Sequence, residues 1–140
     1  MSTHARGQAL IELAMSILLL LLVSFGIIEF GRSLMIANMV THAARHGARA
    51  AAVEPSSNRN TSGMLVSTSA IVTQVRDQIA QVVGTTAANQ FNITVTQTNT
   101  GTPMVNVRVV GSVPQIFGTL LFTNGSLAID RTVAFRDEGR

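Results

Sequence analysis

Few side chains in this sequence are of the types that carry covalent or metal chemistry. The chain of 140 residues has no cysteine, and its ten basic side chains other than histidine are all arginine. Thiol nucleophiles, thiolate metal sites, disulfides and lysine-dependent chemistry are therefore excluded. The sequence has no Gly-x-Ser-x-Gly motif, no phosphate-binding loop and no convincing pair of acids. We expect no catalytic site, no cofactor and no small-molecule substrate.

One pair of histidines has the spacing of metal ligands. His42 and His46 stand four residues apart, which places them on the same face of a helix. Arginines flank both, and no carboxylate or thiol lies nearby in the sequence to complete a ligand set. The sequence therefore predicts no metal site here.

An acidic residue within an apolar segment is the strongest functional signal in the residues themselves. Glu12 lies five residues after Gly7, at the start of a long apolar run. A carboxylate inside the hydrocarbon of a membrane costs about 2.5–3.5 kcal/mol on insertion scales, so it requires a partner. Alternatively, Glu12 lies solvated at headgroup depth, as an acid near a helix N-terminus that suits the helix dipole. The residues alone leave both interpretations open.

The apolar run is long enough to cross a membrane once. It has sixteen residues without a charge from Leu13 to Ile28, and the 22 residues 9–30 cover about 33 Å as a helix, enough for a bilayer core of roughly 30 Å. A cleaved secretory signal is disfavoured, because no small-x-small cleavage site follows the run. The charges flanking the run leave its orientation ambiguous.

The helical pattern continues beyond the apolar run. Small or apolar residues follow a three-and-four spacing until Pro55 should end the helix. We therefore predict one helix over 8–53, about 69 Å long, with 9–30 in the membrane and 31–53 outside the membrane. The stripe either carries the chain's own head or allows close approach of other helices. It consists of Ile36, Met39, Val40, Ala43, Gly47, Ala50 and Ala51.

The start of the chain resembles the processing site of type IV pilin precursors. In that family a prepilin peptidase cuts after a glycine and leaves a glutamate fifth in the mature chain, which implies a leader of residues 1–7 and a cut between Gly7 and Gln8. The resemblance further implies that Glu12 pairs with the N-terminal amine of a neighbouring subunit and sets the register of the subunits. Two buried charges offset each other's desolvation only when they are paired.

A second motif makes the resemblance more specific. Residues 43–51 read Ala-Ala-Arg-His-Gly-Ala-Arg-Ala-Ala, and TadE-like proteins carry Ala-Ala-Arg-x-Gly-Ala-Arg-x-Ala after their membrane helix. They also begin with Arg-Gly and, a few residues later, Glu-Phe-Ala, where this chain has Leu13 in place of the phenylalanine. The resemblance to the TadE-like family covers residues 6–51.

The TadE-like resemblance implies a minor pilin, or pseudopilin, of a tight-adherence (Tad/Flp-type) pilus. The implied partners are a prepilin peptidase, other pilin subunits or further copies of the chain, an inner-membrane assembly platform and membrane lipid. The implied location is the bacterial inner membrane, with the N-terminus in the cytoplasm and the head outside. The alternative is a permanent single-span adaptor of a pilus or secretion complex.

Arg45 and Arg49 lie one helical turn apart and repel each other unless an acid answers them. Lipid phosphates, a neighbouring subunit, or Asp137 and Glu138 of the same chain would serve. We favour the intrachain acids, which would join the long helix to the head.

The rest of the sequence, after the long helix, predicts an α+β head of one helix and a three-stranded antiparallel sheet. Residues 54–63 form a polar linker and 64–140 the head, with a helix from Leu65 to about Gly84, a hairpin turning at 99–103, and a last strand over 127–136. Val113-Pro114 should break the second strand. Arg131 interrupts the last strand's alternation and indicates a bulge or an edge position. The apolar cluster 116–122 belongs to the core or to a surface that contacts a partner or membrane.

Composition excludes nucleic acid as a partner. Charged residues make up only 12% of the chain, the net charge is +3, and tryptophan and tyrosine are absent. Nucleic-acid binders usually concentrate Lys and Arg on one face and add aromatic side chains for stacking.

Overall fold

The computed structural model describes residues 3–98, 101–116 and 125–138, with side chains from residue 7 onward. It confirms an α+β fold in which a long N-terminal helix precedes a three-stranded antiparallel sheet. The elements are α1 (Thr3–Ala52), a 3₁₀ turn (Ser56–Asn58), α2 (Ser69–Val83), α3 (Thr85–Ala88), β1 (Asn92–Thr98), β2 (Met104–Pro114) and β3 (Ser126–Arg136).

Helix α1 is continuous over 50 residues, or about 75 Å. It ends at Ala52 because Pro55 disfavours helical geometry at the residue before it. The predicted stripe on its second half is buried, with Ile36, Val40 and Ala43 at 3% exposure or less and Met39 half-buried. The stripe carries the chain's own head, which decides between the two interpretations for that length of helix.

The sheet has the order β1-β2-β3, and each neighbouring pair is antiparallel. One of its faces packs on α1 and α2 and forms the core together with them. The largest buried side chains on that side come from the entry to β1 and from alternate positions of β2, as the period of two in a strand requires. They are Phe91, Val105, Val107, Val109 and Val113.

Two predicted boundaries in the head are wrong. Helix α2 begins at Ser69, because Leu65 is held in an isolated bridge to Arg59 and its N–H donates to the Gln97 side chain. Strand β2 continues through Pro114, which pairs with Ser126 at the end of the ladder, where proline is tolerated. The short helix α3 and the 3₁₀ turn are additional to the one predicted head helix.

The interruption at Arg131 is explained by an edge position. The β2–β3 register is continuous without a bulge, and β3 is an edge strand of the described sheet, so the exposed Arg131 reaches solvent although it lies opposite the buried Val109. Of the apolar cluster 116–122, only Ile116 is described, and it is 63% exposed. The rest of that cluster, and residues 99–100 of the predicted turn, lie outside the described residues.

Candidate functional site

The first half of α1, here called the bare half, is exposed over most of its surface. Its large apolar side chains between Leu10 and Phe30 are 36–68% exposed, and its most apolar 18-residue window has a mean hydropathy of 2.6. This helix is therefore long and apolar enough to anchor the chain by a single membrane pass. Glu12 is exposed on this half, one turn from Gln8, and nothing lies within 4 Å of the position a Cβ would take on Gly7.

The residues of the motif at 43–51 lie on two different faces of α1, one buried and one exposed. Its small residues Ala43, Ala44, Ala48 and Ala51 are fully buried under the head. At Gly47 a Cβ would lie 2.3 Å from Cγ2 of Val75, so glycine is what allows α2 to approach α1 at this point. These small side chains are thus required by the packing of the head.

The motif's arginines face outward. Arg45 and Arg49 are exposed and, with His42, His46 and Phe135, line a shallow groove of about 190 Å³. Among the described residues neither arginine has an ion-pair partner within 4 Å. Nor does that part of the chain contain a group of three or more His, Cys, Asp or Glu side chains placed to hold a metal ion. The groove is a basic surface that remains available to an anionic group.

A comparison with known families gives a match to the N-terminal part of the molecule. The model of a family described as TadE-like protein matches residues 7–49. Residues 7–49 are TadE-like. The match confirms the resemblance drawn from the two motifs, and it indicates a protein associated with Tad pili. Neither the curated proteins nor the solved structures give a match to the chain.

Asp137, one of the two acids predicted to pair with Arg45 and Arg49, has another partner. Asp137 forms a two-pronged ion pair with Arg59, with its Oδ1 2.8 Å from Nη2 and its Oδ2 2.9 Å from Nη1. Both side chains are at least 95% buried. The main chain carries Asp137 away from Arg45 and Arg49, because Glu138 N–H donates to Ala52 O beyond the motif. Pairing of the two motif arginines with an acid of a partner remains a prediction.

Arg59 joins the end of α1, the linker and the residue that follows β3. Besides binding Asp137, its guanidinium donates to the carbonyls of Ala51, Glu54 and Gly63 at 2.9–3.2 Å. It thereby caps the C-terminal end of the TadE-like helix and fixes the linker and the end of β3 to it. Sequence reasoning missed this role because Arg59 stands in a polar loop. The only signal was an arginine just after a helix end.

The amide of Gln97 completes this buried network. Its nitrogen donates to Asp137 Oδ2 and to Gly63 O, while its oxygen accepts from Leu65 N–H at 2.9 Å. Strand β1 is thus tied to the same point as α1 and β3.

A second junction lies at the other end of the sheet. Glu29 is only 8% exposed although it belongs to the otherwise bare half of α1. Its Oε1 accepts from Ile116 N–H at 3.2 Å and from Arg32 Nη1 at 3.4 Å, and the same arginine nitrogen donates to Pro114 O at 3.2 Å. The sequence showed Glu29 as an interruption of the apolar run, and it gave no indication of a partner.

On the outer face of the sheet, Arg108 and Asp130 form an exposed ion pair across β2 and β3. Arg108 Nη2 lies 2.6 Å from Asp130 Oδ2. The hydrogen bond from Arg108 is the main reason that the pKa of the Asp130 carboxyl lies below its usual value, and the same bond raises the pKa of Arg108. Water screens the pair, so its contribution to stability is small.

Proposed function

We propose that this chain is a minor pilin of a Tad pilus, anchored in the bacterial inner membrane with its N-terminus in the cytoplasm and its head outside. The observation that carries the proposal is the division of one continuous helix into two halves. The first half is apolar and bare, while the second half forms one wall of the head core. A subunit of this shape can leave its head outside while its helix packs among other helices.

The two ends of the sheet support this architecture. The Arg32 side chain donates to the carbonyl of Pro114 at the end of β2, and the N–H of Glu138, just after β3, donates to the carbonyl of Ala52. The head is therefore fixed to α1 at both ends of the sheet. Twenty residues of helix separate these points, or about 30 Å, and the 11 residues of β3 cover a similar distance at about 3.3 Å each. The head therefore follows the helix as one unit, and packing of the bare halves would set the spacing of heads in an assembly.

Processing follows from the N-terminal motif. In this proposal a prepilin peptidase cuts between Gly7 and Gln8, and Glu12 then pairs with the new amine of a neighbouring subunit. In the part of the chain that the structure describes, no atom lies within 4 Å of a Cβ placed on Gly7, and Glu12 is exposed on the bare half, so both are accessible to a peptidase and to a neighbour. The partners are that peptidase, other pilin subunits or copies of this chain, the inner-membrane assembly platform and lipid.

Intact-mass measurement of the full chain from bacterial membranes tests processing. We expect the mass to lack residues 1–7 when the peptidase is present, and we expect Gly7→Val to retain them. Membrane insertion should be equal for both chains. A functioning chain that keeps residues 1–7 would instead support a permanent single-span adaptor.

Glu12→Leu tests the register role separately. We expect normal membrane insertion but loss of incorporation into pili, because the neighbour's amine loses its counter-charge. Ser16→Ala is the matched control, since Ser16 is exposed one turn away on the same face and bonds only to the carbonyl of Glu12. Normal pilus assembly by Glu12→Leu would exclude the pairing.

A further inference from the structure

Glu29 is placed where the membrane half of α1 meets the head. Its burial is unusual, because neighbouring apolar side chains on this half, Ile28 and Phe30, are 60% and 66% exposed. Ile116, two residues beyond the end of β2, contributes to this burial, because its N–H lies 3.2 Å from the carboxylate. A carboxylate that accepts a main-chain N–H and an arginine is satisfied at this depth without water.

This contact fixes the level of Ile116 along the helix. Glu29 lies in the last turn of the predicted membrane segment, and Arg32 holds Pro114 O one turn farther out. Gln115 N–H donates to Gly125 O at 2.7 Å, so the end of β2 and the start of β3 lie next to each other at this level. The β2–β3 end of the sheet is therefore its membrane-proximal end, while the end near Ala52 lies about 30 Å farther out along α1.

Ile116 presents an apolar side chain at that level. It is 63% exposed, and Glu29, to which its N–H donates, stands in α1 between the exposed apolar side chains of Ile28 and Phe30. Arg32, whose side chain is 35% exposed, lies beside it and has the length to keep its charge among lipid headgroups. Surfaces that contact a lipid interface typically combine an exposed apolar side chain at the membrane boundary with an arginine farther out, at headgroup level.

We propose that Ile116 inserts into the outer leaflet of the membrane as a second lipid contact, and that Glu29 is the positioning residue that holds it there. The head then sits on the membrane surface at a fixed height. The occupant of this surface is lipid, because the surface is continuous with the membrane half of α1. The proposal rests on single-span anchoring by α1 and is independent of processing at Gly7 and of pilus assembly.

Site-specific fluorescence in vesicles tests the contact. Because the chain has no cysteine, Ile116→Cys, Leu20→Cys and Thr132→Cys each give one labelling site in the full-length protein. Vesicles of phosphatidylcholine and phosphatidylglycerol would carry nitroxide lipids that quench at headgroup, shallow or deep acyl positions. Leu20 reports the centre of the span, and Thr132 is exposed on β3, about 20 Å from its membrane-proximal end.

We expect the Ile116 label to be quenched by shallow nitroxides and shielded from aqueous iodide, whereas the Thr132 label shows the reverse. Equal behaviour of the Ile116 and Thr132 labels would overturn the proposal. Shielding from iodide without lipid quenching would also overturn it, by indicating a protein contact instead. Absence of deep quenching at Leu20 would refute single-span anchoring itself and, with it, the second contact.

Glu29→Leu tests the positioning role, with Phe30→Leu as the control on the adjacent exposed position. Glu29→Leu removes the acceptor for Ile116 N–H while keeping an apolar span, so Leu20 should remain deeply quenched. We expect the shallow quenching at position 116 to fall towards the Thr132 value in Glu29→Leu and to persist in Phe30→Leu. Unchanged quenching in Glu29→Leu would exclude Glu29 from holding Ile116 at the membrane.

Discussion

Replacing Arg59 with methionine should destabilise the head more than any exposed substitution. The change keeps an unbranched apolar side chain in place but removes every hydrogen bond made by the guanidinium. Asp137 would keep its charge in a buried position, with the Gln97 amide as a side-chain donor. The carbonyls of Ala51, Glu54 and Gly63 would also lose a donor.

The expected size of this effect follows from the burial of the pair. Breaking a buried ion pair by removing one partner costs about 3–5 kcal/mol, because the other charge is left uncompensated. A head of about 75 residues has a total stability of roughly 4–11 kcal/mol at 0.05–0.15 kcal/mol per residue. Arg59→Met should therefore remove a large share of the head's stability while the apolar half of α1 stays helical.

Hydrogen exchange of the full-length chain in detergent micelles is the suitable assay. Tryptophan and tyrosine are absent, and α1 would dominate far-UV circular dichroism, so optical signals report poorly on the head. We expect exchange of the β1 and β3 amides to accelerate by roughly a hundred-fold to several thousand-fold, at 1.4 kcal/mol per tenfold. Amides of residues 13–28 should not change.

The control is Arg49→Met, which removes an exposed arginine with no ion pair among the described residues. We expect it to alter stability by no more than about 0.5 kcal/mol. In the double variant Arg59→Met with Asp137→Leu, the loss should be smaller than the sum of the single losses, because no buried charge is left unpaired. Equal effects of Arg59→Met and Arg49→Met, or strict additivity in the double variant, would refute this account.

Two further predictions concern packing and pH. Gly47→Ala should destabilise the head by up to about 2 kcal/mol, which is a cost of about 1–3 kcal/mol for overpacking against Cγ2 of Val75 less about 1 kcal/mol gained in helix propensity, and hydrogen exchange would measure it. The loss should disappear in a Val75→Ala background, and Gly31→Ala, with open space around it, should cause none. Asp130 titrates below its ordinary pKa of 3.8, so its pairing with Arg108 stabilises the fold above that pH and is lost as the pH falls through the lowered pKa. Asp130→Asn should thus be slightly less stable than the natural chain at neutral pH, and equal to it at the acid end of a pH-dependent exchange series.

Local patterns in the sequence were sufficient to predict α1, the existence of α2 and the three strands, but not α3 or the 3₁₀ turn. The three-and-four spacing before Pro55 specifies α1, and the alternation around 91–95 and 105–109 specifies the hairpin, because each signal depends only on nearby residues. The start of α2 was misplaced for the opposite reason. Leu65 fits the helical pattern, but its N–H bonds to Gln97, a residue 32 positions away that no local pattern reveals.

The two junctions that fix the head were not predictable for the same reason. Arg59 and Asp137 are 78 residues apart, and Glu29 and Ile116 are 87 residues apart. Each pair depends on the register between the sheet and α1, and the sequence does not state that register. An ion pair between an acid and an arginine that are close in sequence would have been recognised. An arginine in a polar loop, by contrast, has the sequence context of a solvated side chain.

The TadE-like motif also shows which surface of α1 is left for a neighbour. Its small residues are covered by the head, so other helices cannot use that stripe over 43–52. Arg45 and Arg49 remain outside, beyond residue 30 by about 22 to 28 Å along the helix axis. The headgroup layer extends about 5–7 Å beyond the hydrocarbon core, so lipid phosphates at the predicted membrane surface are still more than one Debye length of about 8 Å away. An acid from another subunit or from the assembly platform can reach these arginines only if that protein packs alongside the outer half of α1. Stacking of the bare halves of neighbouring subunits would produce this arrangement.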